Sequence, residues 1–172
     1  MMFHEITVSD LSFNPFTRLN KDWALVTVTD PDTGKVNTMT VSWGGVGVLW
    51  NKNVVTIYIR PQRYTHEFLE KTDRFTLSFY DMEAEGMRQA LTVCGRKSGR
   101  DLDKIAEAGL HLTGEKDYPW FEESQLVFCC KTLYRSAFDP SRISDDIKAS
   151  AYPGEDYHDV YIAEIEKIVK KD

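Results

Sequence analysis

Two short basic segments carry the residues of this sequence that are best suited to chemistry. The first, residues 60–65 (RPQRYT), follows a predicted strand and places two arginines before a short predicted helix. The second, residues 95–101 (GRKSGRD), is basic and glycine-rich and also leads into a predicted helix. Guanidinium groups and the free N–H groups at a helix start are favourable ligands for phosphate. Each segment alone is compatible with a solvated loop, but together they predict an anion site.

A third segment, residues 37–43 (NTMTVSW), has the alternation of a strand. Asn37, Met39, Val41 and Trp43 face one side, and the hydroxyl residues between them face the other. This pattern has two interpretations, an ordinary strand of a β-sandwich or a strand whose hydroxyls and backbone line a flat polar ligand. The glycines that follow, in residues 44–47, indicate either a bulge or a close backbone approach.

Several familiar catalytic patterns are missing from the sequence. It has no GxSxG, HExxH or GxxxxGK[ST] motif and no GxGxxG after a strand, which argues against serine hydrolase, zincin, P-loop and Rossmann functions. Its three cysteines match no zinc or disulfide spacing, so no metal site is predicted. The predicted anion is therefore bound by a site that contains none of these motifs.

The charge balance restricts the kind of partner. The 172 residues include 21 Lys/Arg and 27 Asp/Glu, a net charge of -6, which argues against a nucleic-acid surface. Residues 60–100 nevertheless hold eight Lys/Arg and six Asp/Glu, a mildly basic segment that suits one phosphate. With no signal-like start and no apolar run of about 18 residues, a cytoplasmic protein without membrane contact is expected.

Period-2 patterns of β-branched and aromatic residues dominate the chain and predict a mainly β fold in one domain, residues 1–172. Three short helices and one acidic, flexible loop are also expected. The predicted strands cover residues 23–29, 37–43, 54–59, 74–80, 125–134 and 160–169, the helices residues 65–71, 84–91 and 101–109, and the loop residues 139–159.

Five blocks, taken in order, resemble a known family. They are NxMTxSW at 37–43, RPxRYT at 60–65, FTLSF at 75–79, CGxxSGRDxDK at 94–104 and YHxxYIxEI at 157–165. This order is similar to that of the flavin reductase family of the FMN-binding split barrel. The resemblance implies a six-stranded Greek-key split β-barrel with short peripheral helices. It also implies a homodimer that holds FMN non-covalently near the subunit interface.

The resemblance also assigns roles to individual residues. It places Asn37, Thr38, Met39, Thr40 and Ser42 at the isoalloxazine edge and ribityl chain, with Trp43 as a stacking candidate. It places Arg60, Arg63, Tyr64 and Thr65 at the phosphate or the ribityl hydroxyls, and Lys97, Ser98 and Arg100 in the loop that closes over them. Trp50, by contrast, is expected in the core.

His158 is the titratable residue that the resemblance places near the reacting face of the flavin. Relatives carry a histidine just before the final strand, often as GDH, whereas here the tripeptide is Asp156-Tyr157-His158, without the glycine. Two interpretations follow, a catalytic histidine that contacts the flavin or nicotinamide, and a hydrogen-bonded structural one.

The function predicted from the resemblance is an oxidoreductase that uses bound FMN with NADH or NADPH as co-substrate. Hydride transfer requires no side-chain acid or base, so a missing catalytic triad is no objection. One alternative is a flavoredoxin-like electron-transfer protein that a partner protein reduces. A second is a non-enzymatic β-barrel that binds a phosphorylated ligand.

Overall fold

A computed structural model describes residues 2–172. Ten strands and five α-helices occur in this range, together with 3₁₀ turns at Val8–Asp10 and Pro140–Arg142. The strands are β1 Phe3–Ile6, β2 Ala24–Thr29, β3 Val36–Val41, β4 Gly44–Leu49, β5 Lys52–Ile59, β6 Arg74–Tyr80, β7 Leu112–Gly114, β8 Pro119–Phe121, β9 Ser124–Ala137 and β10 Asp159–Lys171. The helices are α1 Pro15–Asn20, α2 Tyr64–Leu69, α3 Met87–Arg96, α4 Lys104–Glu107 and α5 Asp145–Ala151.

Eight of these strands form one antiparallel sheet in the order β3-β2-β6-β9-β10-β5-β4, with β1 also paired to β10. The prediction of a mainly β fold with short helices is confirmed. The expected six strands are a subset, because β1 and β4 add two more to the main sheet. The remaining strands, β7 and β8, form a separate two-stranded ribbon.

The two ends of this order, β3 and β4, are consecutive in the chain and are joined only by Ser42 and Trp43. The sheet must therefore curl until its ends come close, yet β3 and β4 do not pair with each other. We call this opening between β3 and β4 the seam. It splits the barrel and leaves room beside the strand ends for a ligand.

The interior of the curled sheet is filled by aliphatic and aromatic side chains, including Val26, Ile57, Phe75 and Phe128, which are all fully buried. A second cluster lies on the outer face, where α3 covers β2 and β6 through Leu25, Tyr80, Leu91 and Cys94. All six residues of β2 are consequently buried.

The glycine-rich segment of residues 44–47 lies in strand β4, whose pairing with β5 runs without a bulge. A Cβ at Gly44 would lie 2.7 Å from the carbonyl oxygen of Thr56, so this position needs a close backbone approach. Of the two predicted explanations, the close approach is the one found.

Trp50 is not a core residue, and that expectation is wrong. Trp50 and Asn51 form the two-residue turn between β4 and β5, with φ of 53° and 58°. Two positive φ angles at adjacent turn positions define a type I′ hairpin, which matches the twist of the strands it joins. The Trp50 side chain is accordingly 57% exposed.

The predicted helices exist, but their bounds differ. α2 begins at Tyr64 with Arg63 as its N-cap, so Thr65 lies inside the helix rather than capping it. The acidic stretch of residues 139–159 contains α5 in addition to loop. None of the helices within residues 2–172 combines the length and apolar character needed to cross a membrane.

Candidate functional site

A cleft of about 210 Å³ opens at the seam, and we call it the ring cleft. Its walls come from the end of β3, from the end of β5 and from the residue before β10. The lining residues are Met39, Thr40, Val41, Ser42, Trp43, Tyr58, Arg60, Arg63 and His158. The strand ends of a curled sheet thus bring together residues that lie more than 100 positions apart in the chain.

The predicted ring-binding residues divide between the surface of this cleft and the layer beneath it. Met39, Thr40, Ser42 and Trp43 line the cleft. Thr38 lies beneath it, because it is fully buried and its hydroxyl contacts the Thr27 hydroxyl at 2.9 Å and the Val26 carbonyl. Asn37 is also buried and donates from Nδ2 to the Thr65 hydroxyl at 2.8 Å. These buried contacts hold β3 in place behind the cleft.

His158 forms one wall of the ring cleft and is only 7% exposed. Its Nδ1 lies 2.8 Å from the Tyr152 hydroxyl, and its ring centroid lies 5.4 Å from that of Trp43. Burial, together with the Arg60 guanidinium, lowers the pKa of His158 to about 4. The imidazole is therefore neutral at neutral pH and cannot serve as a cationic acid there.

A second cavity of about 120 Å³ adjoins the ring cleft, and Arg63 lines both. We call it the anion pocket, since five of its nine lining residues are basic. They are Gln62, Arg63, Tyr64, Thr65, Arg96, Lys97, Ser98, Arg100 and Lys104. The two basic segments of the sequence thus meet here, as their composition predicts, and the pocket continues the cleft at one end.

Most exposed cations around the two cavities are already paired with carboxylates. Lys97 pairs with Glu107, and Arg100 pairs with Glu67 while it donates to the Gln62 carbonyl. The Arg100 guanidinium also lies over the Tyr64 ring, 4.9 Å from its centroid. Ser98 accepts from the Arg100 amide and shapes the loop. These residues form the rim of the pocket and have ligand-independent partners.

Two less exposed cations have no carboxylate partner within residues 2–172. Arg63, which is half-buried, donates to the Gly95 carbonyl at 2.8 Å. Lys104 is 3% exposed and donates to the carbonyls of Cys94 and Lys97, both at 3.3 Å. Buried cations are costly without an anion, because carbonyl dipoles offset only part of the desolvation. This pair of unneutralised charges fits a phosphate monoester, which carries nearly two negative charges at neutral pH.

Lys104 is the residue that sequence reasoning missed. Burial, together with the neighbouring Arg63 guanidinium, lowers its pKa to about 8. It lies in the first turn of α4, just after the Asp103 cap, where the helix dipole disfavours a cation. The sequence feature that could have identified Lys104 as a site residue is a lysine in this unfavourable position, at the end of the CGxxSGRDxDK block.

Arg60 is turned toward the 139–159 segment and is held by it. It forms an ion pair with Asp156, donates to the Ala151 carbonyl at 2.9 Å, and lies over the Tyr152 ring. It lines the ring cleft but not the anion pocket. The structure thus places the two arginines of the RPxR segment in different surroundings.

The second basic loop approaches β3 closely at Gly99. A Cβ at this position would lie 2.2 Å from the Asn37 side-chain oxygen, so a larger residue would displace either the loop or Asn37. Asn37 in turn binds Thr65 on α2. One buried amide therefore fixes both basic segments relative to the sheet.

A group of potential metal ligands lies outside the two cavities, formed by His66, Glu70 and Asp159. The His66 Nε2 lies 2.8 Å from Asp159, and Glu70 is already paired with Arg135. These side chains satisfy one another and tie α2 to the first residue of β10. The contact between His66 and Asp159 thereby fixes α2 next to the residue that follows His158.

A family model described as "Flavin reductase like domain" matches residues 16–172. No curated protein matches the chain.

Solved structures of the same fold are found among proteins of low identity. A flavoredoxin from Methanosarcina acetivorans is 20% identical, with a TM-score of 0.67, over 88% of this chain and 69% of that one. An FMN-binding domain of a flavin reductases-like enzyme from Shewanella baltica is 17% identical, with a TM-score of 0.68, over 98% and 77%. An FMN-binding protein from Thermus thermophilus is 23% identical, with a TM-score of 0.65, over 87% and 71%. At these identities the likeness establishes the fold alone.

Proposed function

Because the chain belongs to the flavin reductase like domain family, we propose that it is an FMN-binding oxidoreductase that passes reducing equivalents from NAD(P)H to the flavin or onward to an acceptor. The observation that carries this proposal is the junction at Arg63, where the ring cleft meets a pocket whose two less exposed cations, Arg63 and Lys104, have no carboxylate partner within residues 2–172. FMN combines a flat ring with a terminal phosphate monoester, and this combination suits a cleft that adjoins a basic pocket.

At the phosphate end, Arg63 and Lys104 supply positive charge, and Arg96, Lys97, Ser98 and Arg100 of the second basic loop also line the pocket. Each cation keeps a carbonyl partner in the free protein, so neither has to reorganise far to reach an anion. Preorganised, partly dehydrated donors of this kind bind charged oxygens more strongly than solvated ones.

At the ring end, residues 39–43 line the cleft from the end of β3, and Tyr58 and His158 line it from β5 and from the residue before β10. Trp43 is 47% exposed, and its ring centroid lies 5.4 Å from that of His158, so part of the indole surface is available for contact with an aromatic system. When bound, FMN supplies the hydride-accepting ring. The side chains around it orient the ring and exclude water from one face.

The test is a comparison of three ligands followed by reduction. Purified protein is titrated with FMN, riboflavin and inorganic phosphate by flavin fluorescence and calorimetry, and the FMN complex is then mixed anaerobically with NADH or NADPH. FMN binding tighter than riboflavin binding, with flavin bleaching by a nicotinamide, is the expected result. A protein that binds FMN but is bleached by neither nucleotide contradicts the reductase part.

The acidic character of the chain favours a second candidate, an electron-transfer protein reduced by a partner. Outside residues 60–100 the chain has 13 Lys/Arg against 21 Asp/Glu, a surplus of acid that suits electrostatic steering of a basic redox protein. Reduction by a low-potential donor protein, with no reduction by either nicotinamide, would favour this candidate. Phosphate binding without flavin binding would favour a non-enzymatic module for another phosphorylated ligand.

We also propose that the partner at the seam is a second copy of the chain. Phe16 is 84% exposed on α1, and Trp43, Val48 and Trp50 are large apolar side chains exposed on or next to β4, an end strand of the sheet. A cavity of about 450 Å³ between α1 and β4 adds further apolar surface beside the ring cleft. A monomer rarely leaves so many large apolar groups in water around one strand.

A further inference from the structure

Tyr152 and His158 form a buried pair behind the ring cleft. Tyr152 is 5% exposed and His158 is 7% exposed, and the hydroxyl of the first lies 2.8 Å from Nδ1 of the second. The other ring nitrogen, Nε2, forms no hydrogen bond within residues 2–172 and is not sealed from solvent, because His158 lines the cleft. Nδ1 is thus hydrogen-bonded inside the protein, whereas Nε2 has no partner within residues 2–172 and is accessible from the ring cleft.

This arrangement distinguishes between the two neutral tautomers of His158. If Nδ1 carried the proton, it would donate to the Tyr152 oxygen, and the buried Tyr152 O–H would then need an acceptor of its own. No second partner for that hydroxyl occurs within residues 2–172. If Nε2 carries the proton, the Tyr152 O–H donates to Nδ1 and both groups are satisfied. Leaving a buried hydroxyl unpaired costs more than the alternative, so the second arrangement is favoured.

We propose that Tyr152 is a positioning residue that holds the neutral His158 ring in its Nε2–H tautomer, so that a fixed hydrogen-bond donor points into the ring cleft. The inference about the tautomer concerns the free chain. Its use, donation to an acceptor atom on the bound ring system, rests on the proposed function.

Neighbouring groups support both the position and the neutrality of the pair. The Arg60 guanidinium lies 5.3 Å from the centre of the Tyr152 ring, and the Trp43 ring packs near His158 with their centroids 5.4 Å apart. The charged groups that act on His158 are Arg60, Asp156 and Asp159, and burial has a larger effect on its pKa than any of them. With a pKa of about 4, His158 stays neutral across the physiological range, so the donor at Nε2 does not titrate there.

The direct test is long-range ¹H–¹⁵N NMR of the histidine side chains at pH 7, with His158 assigned from the spectrum of His158→Gln. The expected result is a pyrrole-like Nε2 and a pyridine-like, hydrogen-bonded Nδ1. In Tyr152→Phe, which keeps the ring, we expect the Nδ1 signal to move and both tautomers to be populated. A protonated Nδ1 in the wild-type protein, or an unchanged spectrum in Tyr152→Phe, would overturn the proposal.

A binding measurement tests the use of the donor. In Tyr152→Phe the affinities for FMN and riboflavin should fall by the same factor, about three- to tenfold, because the lost orientation concerns the ring and not the phosphate. Tyr157→Phe is the matched control, since it removes a hydroxyl from a neighbouring ring, whose centroid lies 4.9 Å from that of Tyr152, and leaves the Tyr152–His158 bond intact. Unchanged affinities in Tyr152→Phe would refute the role toward the ligand. A wild-type protein that binds neither flavin would refute the proposed function, whereas the NMR result would still decide the tautomer.

Discussion

Arg63 and Lys104 donate hydrogen bonds to two consecutive carbonyl groups, those of Gly95 and Cys94, in the last turn of α3. Arg63 belongs to the first basic segment and Lys104 to α4. The C-terminal end of α3 carries a partial negative charge, which makes the approach of both cations tolerable. The end of α3 therefore binds two cations that have no carboxylate partner within residues 2–172. The predictions on the anion pocket follow from this relationship.

Arg63→Ala should weaken FMN binding and leave riboflavin binding almost unchanged. A charge-assisted hydrogen bond of about 1.5–3 kcal/mol would be lost at the phosphate, and riboflavin has no phosphate. Flavin fluorescence titrations with both ligands measure the difference. Arg142→Ala serves as the control, because Arg142 is an exposed arginine that lines neither cavity. Equal losses for both flavins would show that Arg63 does not act at the phosphate.

The FMN affinity of the wild-type protein should fall as the pH rises above about 8. Below that pH Lys104 is protonated and attracts the phosphate, whereas above it the free protein loses this charge and must regain a proton to bind FMN well. The affinity of riboflavin should show no such step. Lys104→Met should bind FMN weakly at pH 7, and its FMN affinity should show no step near pH 8. If the step persisted in this variant, it would arise from the titration of another group.

The lowered pKa of Lys104 also predicts how the free energy of unfolding changes with pH. The pKa of Lys104 lies at about 8 in the folded protein and near 10.5 when unfolded, so between these values the unfolded chain binds more protons. The penalty for burying the charge, about 3 kcal/mol, is thus fully present below pH 8 and disappears as the pH approaches 10.5.

Wild-type protein should accordingly gain stability relative to Lys104→Met by up to that amount over the same range. Parallel denaturant unfolding of the two proteins at pH 7 and pH 10 measures the change. Taking the difference between them removes the effect of tyrosines and cysteines that titrate in both. A difference in unfolding free energy that stays constant with pH would argue against a depressed pKa.

Arg60→Gln should affect the affinities for FMN and riboflavin differently from Arg63→Ala. Arg60 anchors Tyr152, Asp156 and the Ala151 carbonyl at the ring end, so its loss should weaken FMN and riboflavin binding by a similar factor. The measurement is the ratio of the two dissociation constants in each arginine variant. A selective loss of FMN binding in Arg60→Gln would instead support the phosphate role that the resemblance assigns to this residue.

Phe16→Asp should shift the protein toward the monomer. The exposed ring of Phe16 lies on α1 beside the apolar cavity next to β4, and a carboxylate there would have to be desolvated in an interface. Sedimentation analysis of wild-type and variant at several concentrations reports the change. Val8→Asp, at another exposed apolar residue, is the control. A wild-type protein that is monomeric at all concentrations would exclude the proposed dimer.

The alternation of apolar residues determined the main strands, because burying one face of a strand imposes a period of two whatever the partner. It also determined that residues 60–65 and 95–101 carry a surplus of basic charge, a property of composition alone. Bounds of short helices were less well predicted, as Thr65 illustrates, because Arg63 takes the cap position without a side-chain hydrogen bond.

Tertiary structure decided which of these charges remain free. Along the chain Arg60 and Arg63 are equivalent members of one motif, yet in the described part of the fold Arg60 is paired with Asp156, whereas Arg63 donates to a carbonyl and has no carboxylate partner. The burial of Lys104 depends on its contact with the end of α3, and the exposure of Trp50 depends on the β4–β5 hairpin, whose two turn residues take positive φ angles. The sequence thus determined which charged and apolar groups are present and where they lie along the chain. Neutralisation and burial depend on contacts between residues distant in the chain, and only the folded arrangement fixes those contacts.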